Sequence, residues 1–198
     1  MVLAGAGTGK TKVITTRIAY LLTQGVRPEN ILAVTFTNKA AREMRDRVGK
    51  MVGKETADAI TLSTFHSFCA RVLRSNADAA SIRKDFTLCD SADQSSLMRS
   101  VLRELRVPEK QVQPSAAISR ISLWKNQLLT PKEALDAAGD PWEEYVAHAF
   151  RRYEEQLRRN RVLDFDDLLL FALRLFQENE AVRKKYAKYF QWIMVDEY

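Results

Sequence analysis

The sequence predicts an α/β fold in which an open parallel sheet is interrupted by an inserted all-helical subdomain. Short apolar runs, of the kind that form buried parallel strands, alternate with helical patterns in the first third of the chain. A long stretch with only helical patterns then separates these runs from a last apolar run near the end of the chain. Alternating strands and helices favour a parallel sheet, and a purely helical block between two of its strands is typical of an insertion.

The predicted strands are short and apolar on both faces, as expected where helices cover both sides of a sheet. Helical patterns separate the first three runs, so crossover connections place these strands in one parallel sheet. The predicted strands are residues 2–4, 31–36, 60–63 and 192–195, and the first two helices are residues 10–24 and 39–52.

The helical block covers residues 86–162 and contains no convincing strand pattern. Prolines at 108, 114 and 131 and the run Gly139-Asp140-Pro141 divide it into separate helices. The predicted helices are residues 92–105, 115–128, 131–138 and 142–161. A further helix follows with Asp164 as its N-cap. We therefore predict a sheet domain from residues 1–85 and 163–198, and an inserted helical subdomain from residues 86–162.

Composition excludes little but agrees with a globular protein that binds a polyanion. Of 198 residues, 46% are hydrophobic and 28% are charged, and 31 Lys and Arg against 25 Asp and Glu give a net charge of +6. No apolar run approaches the ~20 residues that span a bilayer, so no membrane partner is expected. Cys69 and Cys89 predict neither a disulfide nor a zinc site, which is typical of a cytoplasmic protein. The chain opens inside a predicted strand and ends just after another, so we expect a fragment of a longer protein.

Residues 4–11 read AGAGTGKT, which is close to the P-loop pattern of Gly, four residues, Gly-Lys and Ser or Thr. Ala4 replaces the first glycine, and Gly5 and Gly7 supply flexibility instead. Glycines let backbone N–H groups turn toward an anion, and the helix that follows adds its dipole. The alternative is an ordinary glycine-rich turn, but the strand before the loop and the helix after it favour a nucleotide site. The predicted phosphate-binding residues are Ala4, Gly5, Ala6, Gly7, Thr8, Gly9, Lys10 and Thr11.

The last predicted strand delivers Asp196 and Glu197 at its carboxyl end. Ligands of open parallel sheets bind at this edge, where the P-loop also lies. Asp196 and the Thr11 hydroxyl are therefore predicted ligands of Mg²⁺, Lys10 is predicted to contact the β- and γ-phosphates of ATP, and Glu197 is the predicted general base. An exposed acidic strand end is the alternative, which the combination with a P-loop disfavours.

Five blocks of sequence together resemble the UvrD, Rep and PcrA type of superfamily 1 DNA helicase. They cover nearly the whole chain in the family's order, and they read AGAGTGKT, AVTFTNKAAREMRDRV, TLSTFHSFCARVLR, LDFDDLLL and VDEY. The resemblance implies a RecA-like P-loop NTPase fold and a motor that hydrolyses ATP, moves along single-stranded DNA, usually 3′ to 5′, and unwinds duplex DNA.

The second and third blocks match the family's contacts to single-stranded DNA. Phe36 stands at the end of the second predicted strand, where its ring can stack on a base, and hydroxyl groups nearby can contact phosphate. Thr37 and Asn38 can equally cap the next helix, and Phe65 can equally belong to the core. The residues that match are Thr35, Phe36, Thr37, Asn38, Lys39, Ser63, Thr64, Phe65 and His66.

The helical insertion resembles the family's 1B subdomain, which approaches duplex DNA. An arginine-rich helix and the run Trp124-Lys125-Asn126 are candidates for that contact, although ion pairs from Glu154 and Glu155 to arginines four residues later would explain part of the charge. The block beginning at Asp164 is interpreted as a structural return to the sheet. The arginines are Arg151, Arg152, Arg158, Arg159 and Arg161.

The resemblance further implies partners and a setting: single-stranded DNA and junctions with duplex DNA, accessory repair or replication proteins, and a bacterial-type cytoplasmic enzyme working on the nucleoid. A nuclease-fused helicase shares these motifs and stays open as an alternative. So does a DNA-binding module with a nucleotide site that does not hydrolyse ATP, although intact Lys10, Thr11, Asp196 and Glu197 count against it. A P-loop kinase lacks support because nothing resembles an acceptor-binding lid.

Overall fold

The computed structural model describes residues 9–196 and shows a mixed α/β protein. Its helices are α1 (Lys10–Thr23), α2 (Asn38–Val52), α3 (Lys54–Ala59), α4 (Phe65–Ser75), α5 (Ser91–Glu104), α6 (Pro114–Asn126), α7 (Pro131–Asp136), α8 (Pro141–Asn160), α9 (Phe165–Glu178) and α10 (Glu180–Tyr189). Its strands are β1 (Ile31–Thr35), β2 (Thr61–Thr64), β3 (Thr87–Leu88), β4 (Val162–Leu163) and β5 (Trp192–Val195).

The described part of the main sheet has the strand order β2-β1-β5, and both strand pairs are parallel. Val34 lies opposite Ser63 on one side and Val195 on the other, so the carboxyl ends of the three strands meet at one edge. The predicted parallel sheet is thus confirmed for these strands. The predicted strand at residues 2–4 lies outside the described residues.

Both faces of β1 are buried, and alternate residues serve two separate cores. Ile31 and Ala33 pack with Ile18 of α1 and Met44 of α2, whereas Leu32 and Val34 pack with side chains that include Phe190. This is the arrangement that a continuous apolar run predicts for a central parallel strand.

Strand β5 differs from the prediction of a buried strand. Ile193 is 62% exposed, and Trp192 and Val195 are also exposed. Among the described strands β5 pairs only with β1, so one of its edges carries no described neighbour.

The chain divides into two compact units. One contains the chain up to Arg71 and from Phe176 onward, and the other is Val72–Leu175. The predicted insertion, residues 86–162, lies inside the second unit, whose limits fall within α4 and α9. The wider limits have a local cause, because β3 pairs with β4 and the Arg74 guanidinium lies 4.9 Å from the centre of the Phe86 ring. The assignment of motor and inserted domains stays a prediction.

The second unit is a helical core with one short pair of strands. Trp124 and Phe150 stack with ring centroids 6.2 Å apart, and α5, α6 and α8 supply most of the remaining buried side chains. The sequence predicts no strand within residues 86–162. This prediction is wrong near both ends of the range, because Thr87–Leu88 pairs with Val162–Leu163. These strands have only two residues each, which is too short for any periodic pattern.

Two smaller predictions are settled by the same structure. Cys69 and Cys89 are free thiols, both are buried, and burial raises the pKa of each to about 11. Within residues 9–196, no helix is both long and apolar enough to cross a membrane.

Candidate functional site

Helix α1 begins as the phosphate-loop prediction requires. Gly9 precedes it with φ 86°, a left-handed conformation that glycine adopts without strain. Within residues 9–196 no side chain caps this helix start, and the N–H groups of a helix's first turn are a favoured site for an anion. Lys10 and Thr11 stand in that first turn. The predicted residues Ala4, Gly5, Ala6, Gly7 and Thr8 lie outside the described residues.

Thr11 and Asp196 meet although they are far apart in the sequence. The Thr11 hydroxyl donates a hydrogen bond to Asp196 Oδ2 over 3.1 Å. Asp196 follows β5, is only 4% exposed, and its backbone N–H donates to the Val34 carbonyl over 2.9 Å. The sheet ladder therefore holds the carboxylate against the start of α1. Glu197 lies outside the described residues.

This pair fits a magnesium ion. A threonine hydroxyl and a carboxylate are oxygen ligands of the kind that Mg²⁺ prefers, and an Mg²⁺ site usually needs only one or two protein ligands. Both groups stand at the N-terminal end of α1, where phosphate groups are favoured. Thr11 and Asp196 are thus the residues that would hold the ion.

The end of β1 presents one exposed aromatic ring. Phe36 is 55% exposed, and its ring centroid lies 5.3 Å from that of Phe65 at the start of α4. Thr37 caps α2, because its Oγ1 accepts a hydrogen bond from the Ala40 N–H over 3.1 Å, so the capping interpretation is confirmed. Asn38 and Lys39 are exposed in the first turn of α2.

Thr35 stands apart from the other residues of its block. It is 1% exposed, so its hydroxyl is not presented to an external strand. This contradicts a DNA contact from its side chain, and the physical reason is that β1 is buried on both faces up to its last residue. Only the backbone of Thr35 is left for such a contact.

The end of β2 supplies hydroxyl groups next to α4. Thr64 Oγ1 donates to Ser67 Oγ over 2.9 Å and accepts from the Ser67 N–H, so it is engaged in the helix start. Ser63 Oγ is buried and has no hydrogen-bond partner among the described residues. Phe65 packs on the core that contains Leu32 and Val34, as the alternative interpretation predicted, and His66 is half-buried.

A pocket of about 280 Å³ lies between α2, the end of β2 and the start of α4. Two arginines that the sequence analysis did not single out lie in it. Arg45 Nη2 donates to the Leu62 carbonyl over 2.7 Å, whereas Arg42 is exposed. Their spacing from Asn38, four and seven residues along α2, is the signal that places them on one helix face. The lining residues are Asn38, Ala41, Arg42, Arg45, Leu62, Ser63, Thr64 and Ser67.

In the second unit, the proposed contact at Trp124-Lys125-Asn126 is wrong for its first two residues, which are buried. Lys125 Nζ lies 2.7 Å from Asp164 Oδ2, 2.7 Å from Asp167 Oδ1 and 2.8 Å from Glu154 Oε1. An ammonium group held by three carboxylates has a structural role.

The ion pairs predicted along α8 are also wrong. Glu154 pairs with Lys125, and Glu155 pairs with Arg152 over 2.6 Å rather than with an arginine four residues later. Arg151, Arg158, Arg159 and Arg161 are exposed.

A parallel sheet whose carboxyl edge joins a helix-start threonine to a strand-end aspartate defines the P-loop class of nucleotide-binding proteins. Comparison with known proteins narrows this class. The model of the UvrD/REP helicase N-terminal domain matches residues 1–198, and the chain belongs to this family. The chain is similar to the ATP-dependent DNA helicases PcrA of Staphylococcus aureus and Staphylococcus epidermidis, each 47% identical over 100% of the chain. It spans 27% of the length of these relatives.

Proposed function

We propose that this chain is the N-terminal motor part of an ATP-dependent DNA helicase. The observation that carries the proposal is the contact between Thr11 and Asp196 at the sheet edge where β1 also presents Phe36. The pair that would hold Mg²⁺ and the exposed ring of Phe36 thus lie at the same edge of the sheet, and this arrangement supports a motor that couples ATP to DNA.

The nucleotide site would act through four residues of this chain. Thr11 and Asp196 would hold Mg²⁺, which when bound neutralises charge on the phosphates. Lys10 would contact the β- and γ-phosphates, where its charge stabilises the transferring phosphoryl group. Glu197 would orient the attacking water and accept its proton.

The DNA site would use the ends of β1 and β2. A base stacked on Phe36 contributes about 1–3 kcal/mol, and this contact does not depend on base identity. The pocket beside it has an exposed guanidinium at Arg42 and an unpartnered hydroxyl at Ser63, which suit a backbone phosphate. Because β1 carries Phe36 and also hydrogen-bonds to Asp196, a change at the nucleotide would reach the DNA contact through one strand.

The remaining features of the proposal come from the family. They are movement 3′ to 5′, action at junctions of single-stranded and duplex DNA, a role in repair or replication with accessory proteins of those processes, and work on the nucleoid in the cytoplasm.

The test is the ATPase rate of the full-length protein against the concentration of a thymidine oligonucleotide. Single-stranded DNA should stimulate the rate, and Phe36→Ala should raise the DNA concentration for half-stimulation about tenfold or more through loss of stacking. The rate without DNA should stay unchanged in this variant. Lys10→Ala should abolish the ATPase under all conditions.

Two controls define the interpretation. Phe36→Leu keeps an apolar contact with Phe65 but loses the aromatic face, so it should resemble Phe36→Ala. Tyr145→Ala removes an exposed aromatic ring from the second unit and should behave as the unmodified protein. Absence of stimulation by DNA in the unmodified protein would contradict the proposal.

A further inference from the structure

A second pocket, of about 480 Å³, lies entirely within the second unit and shares no lining residue with the pocket beside β2. It combines an apolar lining with several guanidinium groups. This volume lies in the range of ligand-binding pockets. Its apolar lining comes from Ile82, Phe86, Val162, Leu163 and Phe171, and its arginines are Arg83, Arg158 and Arg161.

The arginines already stabilise one carboxylate. Arg83 Nε donates to Asp85 Oδ1 over 3.1 Å. This hydrogen bond, together with the charges of Arg83 and Arg161, holds the pKa of Asp85 below its ordinary value. A single aspartate therefore leaves the group with a net positive charge. The positive charge that remains can bind further carboxylates.

Two of the arginines keep their charge available. Arg158 and Arg161 form no ion pair within residues 9–196, in contrast to Arg152 on the same helix, which pairs with Glu104 and Glu155. Arg161 ends α8 in a left-handed conformation with φ 59°, and this fixes its backbone at the pocket. Beside them the Arg74 guanidinium stacks 4.9 Å from the Phe86 ring centre and adds a fourth positive charge.

We propose that this pocket binds an acidic peptide segment of a partner protein, with an aromatic side chain among the apolar residues and carboxylates on Arg158 and Arg161. Guanidinium groups pair with carboxylates through directional, charge-assisted hydrogen bonds. Aromatic anchors that fill a pocket supply most of the affinity of many protein interfaces. A peptide with both features matches the large apolar side chains and the arginines that line the pocket.

Nucleic acid is the weaker fit for the same residues. A phosphate backbone would satisfy the arginines but has no apolar group to fill the space beside Phe86 and Phe171. Contacts that serve only to position a phosphate backbone need no apolar pocket. The arginines of α8 are also candidates for a contact with duplex DNA, and the experiment below distinguishes that role from peptide binding.

The experiment measures fluorescence anisotropy of a labelled peptide, Asp-Asp-Asp-Asp-Phe with a free carboxyl terminus, titrated with the full-length protein. Binding is expected, and it should weaken as salt rises. Arg158→Gln and Arg161→Asn should each weaken it about tenfold through loss of a charge-assisted contact. Asparagine suits position 161 because it tolerates the left-handed conformation.

Matched controls make the result specific. Arg159→Gln removes a neighbouring exposed arginine that does not line the pocket and should leave peptide binding unchanged. A peptide ending in Ser instead of Phe should bind at least tenfold more weakly. ATPase stimulated by single-stranded DNA should be the same in Arg158→Gln as in the unmodified protein, which separates this proposal from the helicase proposal.

Three outcomes would overturn the inference. They are absence of peptide binding, equal losses in Arg158→Gln and Arg159→Gln, and displacement of the peptide by a duplex whose own binding Arg158→Gln weakens by the same factor. The last outcome would assign the pocket to DNA.

Discussion

At the scale of single residues, the contact between Thr11 and Asp196 carries the most chemical meaning. Neither residue is distinctive in the sequence by its type. The contact forms because β5 pairs with β1 and thereby places the Asp196 carboxylate against α1. Burial to 4% exposure means that Asp196 needs a partner for its charge, because an isolated buried carboxylate is costly. The Thr11 hydroxyl is the described partner, and Mg²⁺ would be a stronger one.

We predict that Asp196→Asn abolishes the magnesium dependence of nucleotide binding. The amide keeps the volume of the side chain but loses the charge that holds a divalent ion. Titration of the full-length protein with a fluorescent ATP analogue, with Mg²⁺ and with EDTA, measures this directly. Thr11→Val should reduce the dependence in the same direction.

Glu197→Gln is the control for this variant. It should leave binding of Mg²⁺ and ATP nearly intact and stop hydrolysis, because only the general base is lost. If the changes at 196 and 197 impaired nucleotide binding equally, the separate roles of the two residues would be wrong.

At the scale of elements, the start of α9 is joined to α6 and α8 by one buried ionic cluster. Asp164 and Asp167 cap the helix reciprocally, since each carboxylate accepts the backbone N–H of the other residue. Lys125 of α6 lies between them, and Tyr153 of α8 donates to Asp164 over 3.1 Å. The cluster therefore links three elements through groups that are expensive to leave unpaired.

The charges in this cluster do not balance. Burial would lower the pKa of Lys125, but its three carboxylate neighbours outweigh burial and raise it. Burial raises the pKa of Asp167 to about 7, with Lys125 opposing the change and Asp164 and Glu154 adding to it. The folded protein thus binds this proton more tightly than the unfolded chain, whose aspartate has the ordinary pKa of 3.8. Asp167 favours the folded state at acidic pH, and this contribution declines as the pH rises from about 4 to about 7.

We predict that Lys125→Met destabilises the protein by about 3–5 kcal/mol, as for other buried ion pairs that lose one partner. The loss should be larger at pH 8 than at pH 5, because Asp167, whose pKa is raised to about 7, is charged at the higher pH and then lacks the cation that neutralises it. Urea denaturation at the two pH values measures both effects. Lys132→Met, at an exposed lysine of α7, should change stability by no more than about 0.5 kcal/mol. A pH-independent loss in Lys125→Met would show that packing rather than charge dominates.

At the scale of the whole molecule, the net charge of +6 comes from the first unit, because the 16 basic residues of the second unit are matched by 16 acidic ones, and the position of each charge decides what it does. Lys125 contributes to the total but is only 2% exposed and already surrounded by carboxylates. Arg42 is exposed beside the strand ends, where it can meet a phosphate. Net charge is therefore a weak guide to DNA binding, and the position of each cation is the useful quantity.

We predict that Arg42→Gln weakens binding of single-stranded DNA and lowers its dependence on salt. Loss of one phosphate contact should reduce the slope of log K against log salt concentration by about 0.7. Anisotropy titrations of a thymidine oligonucleotide at several salt concentrations give the slope. Arg47→Gln is the matched control, since Arg47 lies on the same helix but pairs with Glu43 and is outside the pocket. Equal slopes for the two variants would remove Arg42 from the DNA site.

Sequence alone was enough for the features that repeat over short distances. The apolar runs at β1 and β5 and the helices around them were predicted to within a few residues, and for β1 the reason is that burial on two faces leaves a visible pattern, whereas the exposure of β5 was not predicted. Gly9 before α1 and Thr37 before α2 were also recognisable, because the local backbone geometry at a helix start favours those residue types.

Contacts between distant residues required the folded chain. Periodicity cannot show that Lys125 meets Asp164 and Asp167, that Thr35 faces inward at the end of its strand, or that β3 pairs with β4. In each case the outcome depends on which side chains the packing brings together, and long-range packing leaves no repeat in the sequence. In the sequence, the exposed arginines of α8 and Lys125 of α6 are all simply basic residues. Only the packing of the helices decides which cation stays in water, where it can bind a partner, and which is buried, where its role is structural.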